Sequence, residues 1–139
     1  MIAPVLLDTS GLYEAADRRS PQHDRFRFHL RELLTRTGGL VTTEVVVAET
    51  HALVLRRVGP EAALAMIDRL TASARIEVVP VDGPLRRAAT EFLRSRPGRE
   101  YSLADAVSFQ LMRDRGITHA FTLDADFAAE GFTVLPGSR

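Results

Sequence analysis

Two rhythms of apolar residues alternate along the chain. Short runs of consecutive apolar residues are separated by longer stretches where apolar positions recur every three or four residues, the spacing of one helix face. Pro4 to Leu7 is a short run that stops abruptly at Asp8-Thr9-Ser10-Gly11, which predicts a buried strand followed by a turn into helix. From Pro21 to Thr37, Phe26, Leu30, Leu33 and Leu34 keep helical spacing, with Gly38-Gly39 as the stop. Leu40-Val41-Thr42 is the second expected strand, and Thr43 is placed to cap a helix running to about Val58 and ending at Gly59. Pro60 opens the next helix at the position where its missing N–H costs nothing, and Ala63, Leu64, Ile67 and Leu70 mark its apolar side.

The pattern then repeats. Ile76 to Val81 reads as the third strand, Asp82-Gly83-Pro84 starts a helix that ends before Pro97-Gly98, and Ser102 starts another that Gly116 stops after Arg115. Ala120 to Leu123 is the fourth strand, breaking at Asp124, and Phe132 to Leu135 the last. Strands alternating with helices predict an α/β fold. Five mostly parallel strands need helical crossovers that cover both sheet faces, so the expected architecture is a three-layer α/β/α sandwich.

Composition narrows the chemistry. At 139 residues the length fits one domain with a sizeable core, and 45% hydrophobic with 26% charged residues is an ordinary globular balance. No cysteine is present, which excludes disulfides, zinc–thiolate sites and thiol nucleophiles and fits a reducing cytoplasm. The apolar start, Met1 to Leu7, lacks a basic lead-in and is cut short by Asp8, so neither a signal peptide nor a membrane span is expected. The net charge is zero, yet every basic side chain is arginine and lysine is absent. Lysine-based mechanisms are thereby excluded. Arginine groups at 18–19, 25–31, 56–57, 86–87 and 94–99 can hold phosphates locally, without the global basic field of a sequence-blind nucleic-acid binder.

Four acidic positions carry the candidate chemistry, and each also has an ordinary explanation. Asp8 ends a buried strand and could cap the helix that follows. It also stands at the carboxyl end of a parallel strand, where ligands of open α/β sheets bind. Glu49 has Val45 and Val46 one turn before it and Ala52 and Leu53 one turn after, which puts a carboxylate in an apolar stripe expected to face the core. An unpaired carboxylate there is costly unless an arginine or a metal compensates. Asp105 completes a capping-box pattern with Ser102. Asp124 ends the fourth strand as Asp8 ends the first, and Asp126 two residues later makes an Asp-x-Asp pair. Taken together, the acids gather on one sheet edge. A hard divalent cation there would neutralise them, hold phosphate oxygens and acidify an attacking water, the chemistry of phosphodiester hydrolysis.

Leu6-Leu7-Asp8-Thr9-Ser10, Val46-Val47-Ala48-Glu49-Thr50, Leu103-Ala104-Asp105-Ala106 and Thr122-Leu123-Asp124-Ala125-Asp126-Phe127, in this order, resemble the motifs of PIN-domain nucleases. Within that family the chain is similar to the VapC-type toxins of bacterial toxin–antitoxin pairs. The resemblance spans essentially the whole chain, a single PIN-like nuclease domain over residues 1–139. It implies dependence on Mg²⁺ or Mn²⁺, endonucleolytic cleavage of RNA, homodimerisation and inhibition by a cognate antitoxin. It also implies that Asp8, Glu49, Asp105 and Asp124 are the catalytic, metal-binding acids. Asp126 is auxiliary, with Thr9, Ser10 and Thr122 as hydroxyls that orient them. A catalytically silent PIN-like module that binds RNA or protein is the alternative.

Other plans fit less well. A haloacid-dehalogenase-like phosphatase and a receiver domain both need a lysine this chain lacks. His23, His29, His51 and His119 show no ligand spacing. Phe26, Phe28, Phe92 and Phe109 are expected in the core rather than as base-stacking platforms.

Overall fold

The computed structural model describes residues 4–36 and 39–137. Five strands, β1 (Val5–Leu7), β2 (Leu40–Thr43), β3 (Ile76–Val79), β4 (His119–Phe121) and β5 (Thr133–Leu135), form one sheet in the order β3-β2-β1-β4-β5. All four pairings are parallel.

Helices cover both faces. Successive strand residues point to opposite sides, so Val5 and Leu7 join one core cluster while Leu6 joins the other. The Val5 side packs against α1 (Thr9–Ala16), α2 (His23–Arg36), α3 (Glu44–Arg57) and α4 (Pro60–Ala72) through Leu12, Phe26, Leu33, Val46, Val47, Met66 and Leu70. The Leu6 side packs against α5 (Gly83–Arg94), α6 (Leu103–Arg115) and α7 (Asp126–Ala129) through Ala89, Phe92, Val107, Phe109, Met112 and Phe127. This is the three-layer α/β/α sandwich expected from the alternation of patterns.

Local signals act where the sequence places them. The Thr43 hydroxyl accepts from the Val46 N–H to cap α3, and the Asp82 carboxylate accepts from the Leu85 N–H to cap α5. Gly116, at φ 68°, closes α6 in the left-handed conformation that costs other residues about 1 kcal/mol or more.

Several boundaries and one face differ from expectation. The first long helix begins at His23 rather than Pro21, and its expected end at Thr37-Gly38 lies outside the described residues, as do Met1 to Ala3. β3 stops at Val79 because Pro80 has no N–H to continue the ladder. β4 stops at Phe121, so Asp124 lies in the loop after the strand and not at its end. Phe28 is 66% exposed, against the expectation of core. It stands two residues from Phe26, about 200° around a helix of ~100° per residue, and both cannot face the sheet.

Candidate active site

The strand order sets the site's location. The chain lays β2 and β3 to one side of β1, then crosses back to lay β4 on the other, so the connections from β1 and β4 leave in opposite directions. That reversal opens a crevice at the carboxyl ends of β1 and β4, where ligands of open parallel sheets bind.

Asp8 lies on the floor of this crevice, 6% exposed. It occupies the N-cap position of α1, yet its side chain makes no cap hydrogen bond, which removes the ordinary explanation for this acid. Its Oδ2 instead accepts from the Thr122 hydroxyl at 2.7 Å and from the Ser10 hydroxyl at 3.1 Å. Those two hydroxyls are 2.9 Å apart and in turn accept backbone N–H groups, Ser10 from Leu123 at 2.8 Å and Thr122 from Asp124 at 2.9 Å. Two small polar residues thus register the Asp124 loop on the Asp8 carboxylate. The Asp8 N–H donates to the Phe121 carbonyl at 3.1 Å, tying the ends of β1 and β4 together.

Asp105 enters from the first turn of α6. Its capping box with Ser102 is complete, with Ser102 N–H donating to Asp105 Oδ2 at 3.1 Å and Asp105 N–H donating to the Ser102 hydroxyl at 3.0 Å. Capping and site membership therefore coexist in one residue. Asp105, Asp124 and Asp126 each offer an oxygen, and these oxygens lie within 4.8 Å of one another. Asp124 also uses Oδ1 to accept the Asp126 N–H at 2.9 Å, which curls the loop so that both acids face Asp105.

Glu49 requires a correction. It is exposed, and the buried stripe of α3 is Val46, Val47, Thr50 and Val54. The stripe is narrower than the residue types indicated, and Glu49 sits on its flank at the crevice mouth. There its Oε1 accepts from the Thr9 hydroxyl at 3.2 Å.

The electrostatics follow from crowding. Burial pushes the Asp8 carboxyl up to about 6; the Thr122 hydrogen bond opposes the rise, and the Asp105 charge adds to it. Asp105 is itself raised by burial and by the charges of Asp124 and Asp126, with the Ser102 bonds opposing. Glu49 is raised by loss of hydration and by Asp105, against the Thr9 bond. Asp126 is raised by burial and by Asp124, while Arg99 pulls it down. Asp105 is the hub, acting on Asp8 and Glu49 and acted on by the two loop acids. Carboxylates that repel one another at this range could hold a divalent cation through their oxygens.

Sequence reasoning missed the support behind these acids. The Glu130 side chain, 6% exposed, accepts from Arg96 at 3.1 and 3.2 Å, from Arg113 at 2.9 Å and from the Tyr101 hydroxyl at 2.7 Å. Burial opposes its ionisation, but the three donors outweigh it and hold the carboxyl down at about 2. The cluster joins the 95–102 loop, α6 and the end of α7, the segments that carry Asp105 and Asp126. Its members are scattered over residues 96 to 130, so no spacing in the sequence marked them.

A family model described as "PIN domain" matches residues 5–132. The chain is 43% identical over 94 residues, 67% of this chain and 70% of the relative, to the 23S rRNA-specific endonuclease VapC20 of Mycobacterium tuberculosis. The crystal structure of that toxin, described as sarcin–ricin loop cleaving, superposes with a TM-score of 0.83 at 32% identity over 93% of this chain and 96% of that one. VapBC2 from Rickettsia felis, solved on a DNA fragment from its promoter, shares the fold with a TM-score of 0.69 at 15% identity, covering 96% of this chain and 97% of that one.

Proposed function

This chain belongs to the PIN-domain family, in its VapC-type branch, and on that premise we propose that residues 1–139 form one metal-dependent endoribonuclease domain. Asp8, Glu49, Asp105 and Asp124 are its catalytic acids. The reading rests on one observation: the oxygens of Asp105, Asp124 and Asp126 lie within 4.8 Å of one another, and the Thr122 hydroxyl ties Asp124 to a buried Asp8 whose side chain makes no cap bond.

Mg²⁺ or Mn²⁺ fits this donor set, which is all oxygen and carries several mutually repelling charges. What such an ion supplies is charge neutralisation, a hold on phosphate oxygens and acidification of a water. Asp105 and Asp124 would hold it, with Asp126 as an auxiliary ligand. Asp8 contributes from the floor, its orientation set by Thr122 and Ser10, and Glu49 reaches in from the mouth under the control of Thr9. These hydroxyls keep the acids aimed while the charge between them changes.

The substrate class is RNA. Ribosomal RNA is the first to test, because the 43%-identical relative is a 23S rRNA-specific endonuclease. The protein acts as the toxin of a toxin–antitoxin pair in the cytoplasm and functions as a homodimer. Among the described residues no helix is long and apolar enough to cross a membrane. A groove of about 510 Å³ between α1, α2 and α4, lined by Leu12, Leu30, Met66 and Leu70 and rimmed by arginines, suits an amphipathic segment of the antitoxin.

The test is incubation of the purified protein with ribosomal RNA in Mg²⁺ or Mn²⁺, in chelator, and as the Asp8→Asn and Asp105→Asn variants. Cleavage should require the ion and fall by at least about a hundredfold in either variant. Undiminished cleavage by folded Asp8→Asn protein, or cleavage that persists in chelator, would overturn the reading.

A further inference from the structure

We propose that Arg99 is a substrate-binding residue that takes a phosphate oxygen of the RNA beside the acidic crevice, an inference that rests on the ribonuclease reading above. Arg99 sits in the exposed loop between α5 and α6, three residues before the Ser102 cap. Its N–H donates to the Arg96 carbonyl at 3.0 Å, so its backbone is fixed in a turn. Its guanidinium lies 5.9 Å from the centroid of the Tyr101 ring. That ring is held in turn, since Tyr101 is buried and its hydroxyl donates to Glu130 at 2.7 Å. The side chain is therefore exposed yet supported.

Its neighbours have their charge already engaged. Arg96 and Arg113 are taken by Glu130 and Arg94 by Glu91. Among the described residues Arg99 is in no ion pair. Its loop runs directly into Ser102, whose capping box holds Asp105 at the site. A guanidinium held against an aromatic face keeps its N–H edge open, and that planar edge matches a phosphate. A ring of carboxylates repels the RNA backbone, and a cation on its rim offsets that repulsion for an approaching phosphate. The geometry gives that task to Arg99.

RNA binding is measured in the Asp8→Asn background with a labelled 23S rRNA fragment carrying the sarcin–ricin loop, across a salt series. Cleavage is measured in the parent protein, and Mn²⁺ binding by calorimetry with all acids intact. Arg99→Ala should weaken RNA binding about tenfold and reduce the magnitude of the salt slope by about one, as loss of a single phosphate contact requires. The loss in cleavage should appear mainly in KM. Arg99→Lys should recover part of it, since a point charge still attracts phosphate. Arg36→Ala, at the opposite end of the sheet layer, should change neither quantity.

Unchanged affinity and salt slope in Arg99→Ala, with cleavage by the parent intact, would overturn the proposal. So would a variant whose sole effect is tighter Mn²⁺ binding, because Arg99 would then only screen the acids. If the parent binds the fragment but cuts no RNA, the ribonuclease reading fails, while the salt slope still decides the role of Arg99. If it neither binds nor cuts, both fall.

Discussion

Asp8 carries its charge into the driest part of the crevice, and its stability consequence has a definite sign. A carboxyl raised to about 6 from an ordinary 3.8 favours the folded state fully below pH 3.8. That contribution is lost as pH rises through about 6. Without a cation the ionised form costs roughly 3 kcal/mol at neutral pH. Asp8→Asn, which does not titrate and can keep the Thr122 and Ser10 bonds, should match the parent near pH 4. In chelator at pH 7.5 it should exceed the parent by an appreciable part of that figure. Urea midpoints at the two pH values check this, and equal stabilities at pH 7.5 would refute it. The residue types were legible in the sequence, but their environments were not. Asp8 and Asp105 both looked like caps, and only the fold separates them, leaving Asp8 without a cap bond and Asp105 with a complete capping box. Glu49 erred the other way, exposed where its neighbours implied burial.

At the scale of elements, the site depends on how closely α1 approaches β4. A Cβ added at Gly11 would stand 2.5 Å from the Phe121 carbonyl oxygen and 2.7 Å from its ring, a clash with backbone that no rotamer relieves. Gly11 therefore sets the separation across which Ser10 and Asp8 meet Thr122. Gly11→Ala should destabilise the protein by about 2 kcal/mol, and cleavage should fall further than that loss explains because the hydroxyl bridge opens. Activity per folded molecule, measured well below the melting temperature, tests the second part; an unchanged value would show that the bridge tolerates the shift. Helices and strands were largely legible, since capping residues, Gly116 and the two apolar rhythms act locally. Strand ends were less so, because β3 and β4 stop where pairing partners or N–H donors run out.

Across the whole molecule, the Glu130 cluster fastens three separate segments behind the acids. Its carboxyl is held at about 2, so its contribution is present above the ordinary 4.5 and is lost as pH falls through about 2. Glu130→Gln leaves Arg96 and Arg113 without a counter-charge and should cost about 1–2 kcal/mol at pH 7, because water screens both half-buried arginines. The gap from the parent should narrow as pH drops from 4.5 towards 2, and denaturant melts across that range would reveal it. A gap that stays constant with pH would mean the carboxylate charge is not what holds the segments.

The sequence by itself determined the alternation of strands and helices, the caps at Thr43, Asp82 and Ser102, and the identity and order of the acids. These are properties of single residues and their near neighbours along the chain. Only the tertiary structure decided that β1 and β4 lie side by side with diverging connections, that Thr122 bonds to a residue 114 positions away, and that Glu130 gathers donors from a loop and a helix. Strand order and buried polar partners are set by which surfaces the packed layers can cover together. That choice belongs to the whole chain, and no local spacing encodes it.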